Sequence, residues 1–228
     1  MNILIIGATS GIGYRLWQHY SSQENKVAVM GRRKDVLDAM AQAVPSHTVG
    51  VQCDIADVES FNAGFNQIVE HFKALDLVVV CAGIGDLNPD LDVNTELAVI
   101  KTNVDGWTNC VDAAYHHFAT QKHGHLVTIT SVGGLQPTPI APSYSASKAF
   151  QINYTKSLQK KAKGSRIVVT EIRPGLVDTR MAKGDGLFWV MPLDKVTKSI
   201  IKAIETKRSQ AIITGRWRII NFLLKHFC

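Results

Sequence analysis

The chain of 228 residues is predicted to fold as an α/β doubly wound parallel sheet of about seven strands. Three observations predict this. Short runs at 2–6, 26–30, 48–52, 75–80, 125–130, 166–172 and 211–214 are mostly β-branched and continuously apolar, the pattern of strands covered on both faces. Segments at 12–21, 34–43, 58–72, 95–119, 142–162 and 194–206 carry helical spacing and alternate with the strands. No internal repeat, low-complexity stretch or linker divides them, so a single domain over 1–228 is expected.

Bulk composition narrows the function. Hydrophobic residues make up 46% of the chain and charged residues 19%, ample for a buried core. The net charge of +6 favours an anionic ligand. With aromatics at 7% and no long basic run, a nucleic-acid partner is not expected. Cys53, Cys81, Cys110 and Cys228 are scattered without metal spacing, which points to reduced thiols and a cytoplasmic location. His116, His117, His123 and His125 lie close in sequence, but adjacent helix positions diverge and no thiol or carboxylate set joins them, so no metal is expected.

The first strand runs straight into Gly7-Ala8-Thr9-Ser10-Gly11-Ile12-Gly13 and then a helix. Glycines in a strand–turn–helix unit permit a tight turn and close approach of a pyrophosphate to the free N–H groups of the helix start. The Gly7 break leaves the opening apolar run too short for a signal peptide or membrane span. The second strand is followed by Gly31-Arg32-Arg33-Lys34, three cations where an acid would hold a ribose 2′-hydroxyl. Forked guanidinium donors suit a 2′-phosphate, so NADP(H) is expected over NAD(H), with Arg32 better placed and Arg33 reinforcing the field. Solvated charges at a helix start are the alternative. At the third strand's end, Asp54 can accept from an adenine amino group or cap the next segment, with Ile55 beside it.

Two stretches break the alternation. Residues 86–94 are polar and contain Pro89, so a loop is expected. Residues 178–193 carry Gly184 and Gly186 before an apolar run, which reads as a lid over a ligand or as a short helix on the core. Between the two, Tyr144 and Lys148 stand four apart in a helical segment, on one face and one turn apart. An ammonium beside a phenol favours phenolate and lowers its pKa, making a tunable acid.

The fourth strand ends in Cys81-Ala82-Gly83, Asn103-Val104-Asp105-Gly106 follows, Ser131 ends the fifth strand, and Pro174-Gly175 with Val177 and Thr179 ends the sixth. With the glycine turn and the Tyr144–Lys148 pair, this resembles the classical short-chain dehydrogenase/reductase family across essentially the whole chain. The resemblance implies a Rossmann-type fold and hydride transfer between a nicotinamide cofactor and a carbonyl or alcohol carbon. It implies Tyr144 as acid/base and Lys148 as its partner on the nicotinamide ribose. It gives Ser131 the substrate oxygen and Asn103 a relay water. It gives Gly7, Thr9, Ser10, Gly11, Ile12 and Gly13 the phosphates, and Asp54 and Ile55 the adenine end. Ala82 and Gly83 fall by the cofactor, while Pro174, Gly175, Val177 and Thr179 seat the nicotinamide. Ile6 and Cys81 depart from the family, which usually has threonine and asparagine there.

A small-to-medium apolar carbonyl or alcohol is the expected substrate, walled by Leu135, Ile140, Met181, Phe188 and Trp189, with Gln136 near. The resemblance also implies a homodimer or homotetramer through the long helices. The tail, 215–228, mixes Arg, Lys and Trp with an apolar face, as an amphipathic helix on a membrane surface or as a last helix packed on the sheet. A dinucleotide-binding regulator with little turnover is the alternative to an enzyme.

Overall fold

The computed structural model describes residues 1–182 and 189–226. Seven strands form one sheet: β1 (Asn2–Ile6), β2 (Lys26–Gly31), β3 (Thr48–Gln52), β4 (Leu77–Val80), β5 (Gly124–Ile129), β6 (Ile167–Pro174) and β7 (Gln210–Ile213). Their order is β3-β2-β1-β4-β5-β6-β7, and every neighbouring pair is parallel. The connections are α1 (Gly11–Ser21), α2 (Lys34–Ala43), α3 (Val58–Phe72), α4 (Val93–Ile100), α5 (Trp107–Gln121), α6 (Pro142–Lys161) and α7 (Leu193–Glu205), with α8 (Gly215–His226) last.

The unbroken apolar runs are explained by two cores. In β1, Ile3 and Ile5 enter one core while Leu4 and Ile6 enter the other. β2 divides in the same way, Val27 and Val29 against Ala28 and Met30. Successive side chains leave a strand on opposite faces, so a strand buried on both sides shows no polar alternation. On one face the core takes residues from α1, α2 and α7; on the other, from α3, α5 and α6.

The strand order reverses direction between β1 and β4. Loops leaving their carboxyl ends diverge there and open a crevice, the usual ligand site of such sheets. Most elements fall within a residue or two of the sequence expectation. The exception is 95–119, expected as one helix. It runs as α4, a π-helical segment at Lys101–Gly106, and α5. Gly106 presses on the Ile55 carbonyl so closely that a Cβ there would collide with it. The widened turn also carries Asn103 inward, with no exposed surface. Asp92 starts this run by accepting the Thr95 N–H at 2.9 Å.

No described helix is long and apolar enough to cross a membrane. Cys53, Cys81 and Cys110 are free thiols, and Cys228 lies outside the described residues. The 178–193 stretch is tied at both ends: Val177 pairs with Met191, Asp178 N–H donates to the Met191 carbonyl at 2.9 Å, and Met191 N–H donates to Leu176 at 2.9 Å. Residues 183–188 of it lie outside the described residues.

Candidate active site

The crevice is built from one end of the sheet. Gly7 follows β1 with φ +86°, a left-handed conformation that glycine adopts freely. It also lies against the chain after β4, where a Cβ would stand 2.6 Å from the Ala82 nitrogen. The turn therefore sits flush on the neighbouring strand end. Ser10 is extended and opens α1, and its side chain makes no capping bond. The first N–H groups of α1 carry the helix's positive end, and its first turn holds no acid. Thr179 reaches across from the segment after β6, its methyl 3.5 Å from where a Gly11 Cβ would be. Ile12 is half-buried on the core behind the turn, and Gly13 lies tight against the Gly7 carbonyl.

The cations after β2 divide differently from the sequence expectation. Arg32 points to solvent, with its carbonyl accepting from Gln52 Nε2 at 3.1 Å. Arg33 turns inward: its Nε and Nη2 donate to Thr9 Oγ1 at 3.2 and 2.9 Å. The physical reason is local. Residue 33 is the extended N-cap of α2, so neighbouring side chains leave on opposite sides, and the one facing the glycine turn is Arg33. Asp54 Oδ1 accepts the Ala56 N–H at 3.0 Å, which closes a turn, while Asp57 caps α3. Its carboxylate still stands at the crevice edge beyond β3, and Ile55 is buried beneath it.

The second half of the crevice surrounds α6. Tyr144 lies between two loops. A Cβ on Gly85 would stand 2.7 Å from one edge of its ring, and a Cβ on Gly133 3.4 Å from the other. Only bare backbone leaves room for the ring on the Gly85 side. The Ser131 side chain acts on the Tyr144 phenol and favours its ionised form. Ser131 Oγ accepts from Gly133 N–H at 3.0 Å, which leaves the Ser131 proton available for donation.

Lys148 is 5% exposed. Its ammonium donates to Gln151 Oε1 at 2.9 Å and to the Ile129 carbonyl at 3.4 Å, and lies 5.8 Å from the Tyr144 ring centre. Asn103 is fully engaged. Its Nδ2 donates to the Ile84 carbonyl at 2.7 Å and to Ser147 Oγ at 3.1 Å, and its Oδ1 accepts the Ile84 N–H at 2.8 Å. The Asn103 carbonyl accepts from Gln151 Nε2 at 2.8 Å. Gly83 borders both groups: its Cβ would stand 3.2 Å from Asn103 Oδ1 and 3.6 Å from Lys148 Nζ.

Burial governs the titration of this pair. It pulls the Lys148 ammonium down to about 8, and the neighbouring Cys81 thiol raises it in part. The phenol of Tyr144 is pushed up by burial, with the Ser131 hydrogen bond opposing. The sequence expectation of a phenol lowered by Lys148 is therefore corrected for the protein without ligand. Desolvation disfavours both charged forms, and the ammonium spends its hydrogen bonds on Gln151 and Ile129 rather than on the phenol oxygen.

Pro174 ends β6 and pairs with Ile213 of β7, and Gly175 N–H donates to the Ile213 carbonyl at 2.9 Å. The face of Gly175 is covered by the Trp217 ring of α8, packed so closely that no Cβ would fit. Val177 is buried, and Thr179 Oγ1 donates to its carbonyl at 3.3 Å. Of the expected substrate walls, Leu135 is half-buried, while Ile140, Met181 and Trp189 are exposed at 48%, 43% and 37%. Phe188 lies outside the described residues.

Two contributors were missed by sequence reasoning. Gly85 had no signal beyond its place in a polar loop. Gln151 had one: it continues the stripe of Tyr144 and Lys148 at helical spacing, seven residues after Tyr144.

Comparison with known proteins places this geometry among relatives. Residues 1–186 match the family described as short chain dehydrogenase. An uncharacterized oxidoreductase of Staphylococcus epidermidis is 30% identical over 183 residues, covering 79% of this chain and 80% of the relative. Serine dehydrogenase of Escherichia coli superposes with a TM-score of 0.73 at 26% identity, over 77% of this chain and 83% of that one. A closed form of serine dehydrogenase complexed with NADP+ superposes with a TM-score of 0.85 at 23% identity, over 93% and 94% of the two chains.

Proposed function

This chain belongs to the short-chain dehydrogenase family, and from that premise we propose that it is an NADP(H)-dependent oxidoreductase acting on a small-to-medium apolar carbonyl or its alcohol. The observation that carries the reading is that the Ser131 side chain and the Tyr144 phenol interact in one crevice, with the buried Lys148 ammonium 5.8 Å from the Tyr144 ring centre. Two neutral O–H donors line the same crevice, with a buried cation beside one of them.

The nicotinamide cofactor, when bound, supplies the hydride. The residues fit such a group: a glycine turn with an open helix start, and a guanidinium held at the position where a ribose substituent is read. Gly7, Thr9, Ser10, Gly11, Ile12 and Gly13 would hold the phosphates, with Thr179 opposite. Arg33, more than Arg32, would face a 2′-phosphate, because Thr9 already fixes it inward. Asp54 and Ile55 border the adenine end. Ala82, Gly83, Pro174, Gly175 and Val177 shape the nicotinamide end.

In the reductive direction, Tyr144 donates its proton to the substrate oxygen as negative charge develops there. Ser131 offers a second O–H to the same oxygen, and both bonds strengthen in the transition state. Lys148, protonated at neutral pH, stabilises the phenolate that Tyr144 leaves. Asn103 braces the loop after β4 through Ile84, so the relay role given to it would run through its carbonyl, shared with Gln151. Apolar Ile140, Met181 and Trp189, open to solvent in this state, suit an apolar ligand.

Self-association has its own support. Val93, Leu97, Ile100 and Phe150 expose apolar surface on α4 and α6, the surface of a homodimer or homotetramer. Light scattering tests that part. The enzyme reading is tested by NADPH consumption over a panel of ketones and aldehydes, with wild type beside Tyr144→Phe. Turnover by wild type and a loss of about 10²- to 10⁴-fold in the variant are expected. If both bind NADPH and both are equally inert, a dinucleotide-binding regulator is the better description.

A further inference from the structure

Gln151 is fully buried between the two groups that the site depends on. Its Oε1 accepts from Lys148 Nζ at 2.9 Å, and its Nε2 donates to the Asn103 carbonyl at 2.8 Å. The chemistry fixes which way the amide faces. A backbone carbonyl can only accept and an ammonium can only donate, so the nitrogen must face Asn103 and the oxygen Lys148. Flipped, the amide would set donor against donor and acceptor against acceptor. The amide is thus a rigid, polarised bridge from the π-helical segment to α6. Asn103 is itself pinned to Ile84 and Ser147, so the bridge has a fixed end.

We propose that Gln151 is a positioning residue that holds the Lys148 side chain in place and keeps its nitrogen in the ammonium form inside the protein. This rests on the reading of Lys148 as the partner of Tyr144. The need is physical: burial works against the ammonium, and the groups that act on it are few. From its own helix Tyr144 faces it, and from the end of β4 the Cys81 thiol; Ile129 on β5 offers only a carbonyl. Among the described residues no carboxylate acts on Lys148. The Gln151 oxygen is then its closest acceptor.

The test titrates Lys148 itself, in protein without cofactor, by NMR of lysine labelled with 13C at Cε. Lys148→Met identifies the signal. Wild type is expected to titrate near 8. Gln151→Met, close in volume and without an acceptor, lowers the midpoint by about one pH unit. Gln151→Glu, which places a carboxylate at the same spot, raises it by about as much. A residue that only fills space would leave the midpoint still, or move it the same way in both variants. Either of those results, in variants whose melting shows them folded, overturns the proposal. Should one variant fail to fold, the other decides by the direction of its shift. Carbonyl reduction by wild type is measured separately: a correct titration series with no turnover retains the bridge and rejects the enzyme reading.

Discussion

Replacing Arg33 by alanine tests how the site tells NADPH from NADH. In the structure Arg33 uses Nε–H and one Nη2–H on Thr9 Oγ1, at 3.2 and 2.9 Å. A guanidinium has five N–H donors, so three remain for a phosphate. Hydrogen bonds to charged groups contribute about 1.5–3 kcal/mol net, or about 10- to 150-fold in affinity. Arg33→Ala is therefore expected to weaken NADPH by that factor and to leave NADH within about threefold, since NADH brings no 2′-phosphate. Arg32 is exposed, and its removal costs at most about 1 kcal/mol, with a contribution that fades in salt. Thr9→Val removes the acceptor that aims Arg33 and falls between the two. The assay is calorimetric titration of both dinucleotides into each protein at low and high ionic strength. Equal losses for NADPH and NADH in Arg33→Ala, or a larger effect from Arg32→Ala, would refute the assignment. Tighter binding of NADH by the wild type would refute the preference itself.

Three further outcomes follow from local geometry. Gly85→Ala puts a methyl group 2.7 Å from the Tyr144 ring, so the phenol must shift; turnover should drop by roughly 10²-fold while NADPH affinity, read by titration, stays close to wild type. Trp217→Ala removes a ring that is 7% exposed and covers Gly175; a loss of about 3–5 kcal/mol is expected in urea unfolding, and a loss near zero would mean that α8 is not part of the folded body. His125 is buried against Thr170, bonded at 2.8 Å, and burial lowers its pKa to about 4. The unfolded chain binds that proton near pH 6.5, so stability is full above 6.5 and falls as pH drops toward 4, by roughly 3 kcal/mol; His125→Gln should flatten that part of the stability curve, and an unchanged slope would exclude His125 as its source.

Much of this protein was legible without coordinates because its signals are local. A strand buried on both faces must be apolar throughout, which is why 2–6 and 26–30 mark their own place. Gly7 announces a turn because no other residue takes its conformation so freely, and Tyr144 with Lys148 announces a pair because four residues make about one helical turn. These patterns pointed to the sheet, the crevice and the family. Longer-range facts could not be read that way. Which of two adjacent arginines turns inward depends on where the N-cap of α2 falls relative to Thr9. The sign of the Tyr144 shift depends on burial, which a spacing cannot weigh against a nearby cation. The environment of Lys148 depends on Asn103, forty-five residues earlier, being carried inward by a π-helical turn next to Ile55. The order of residues chose the partners within a turn; only the packing of distant segments decided which charge is buried, what it touches, and so which proton it can hold.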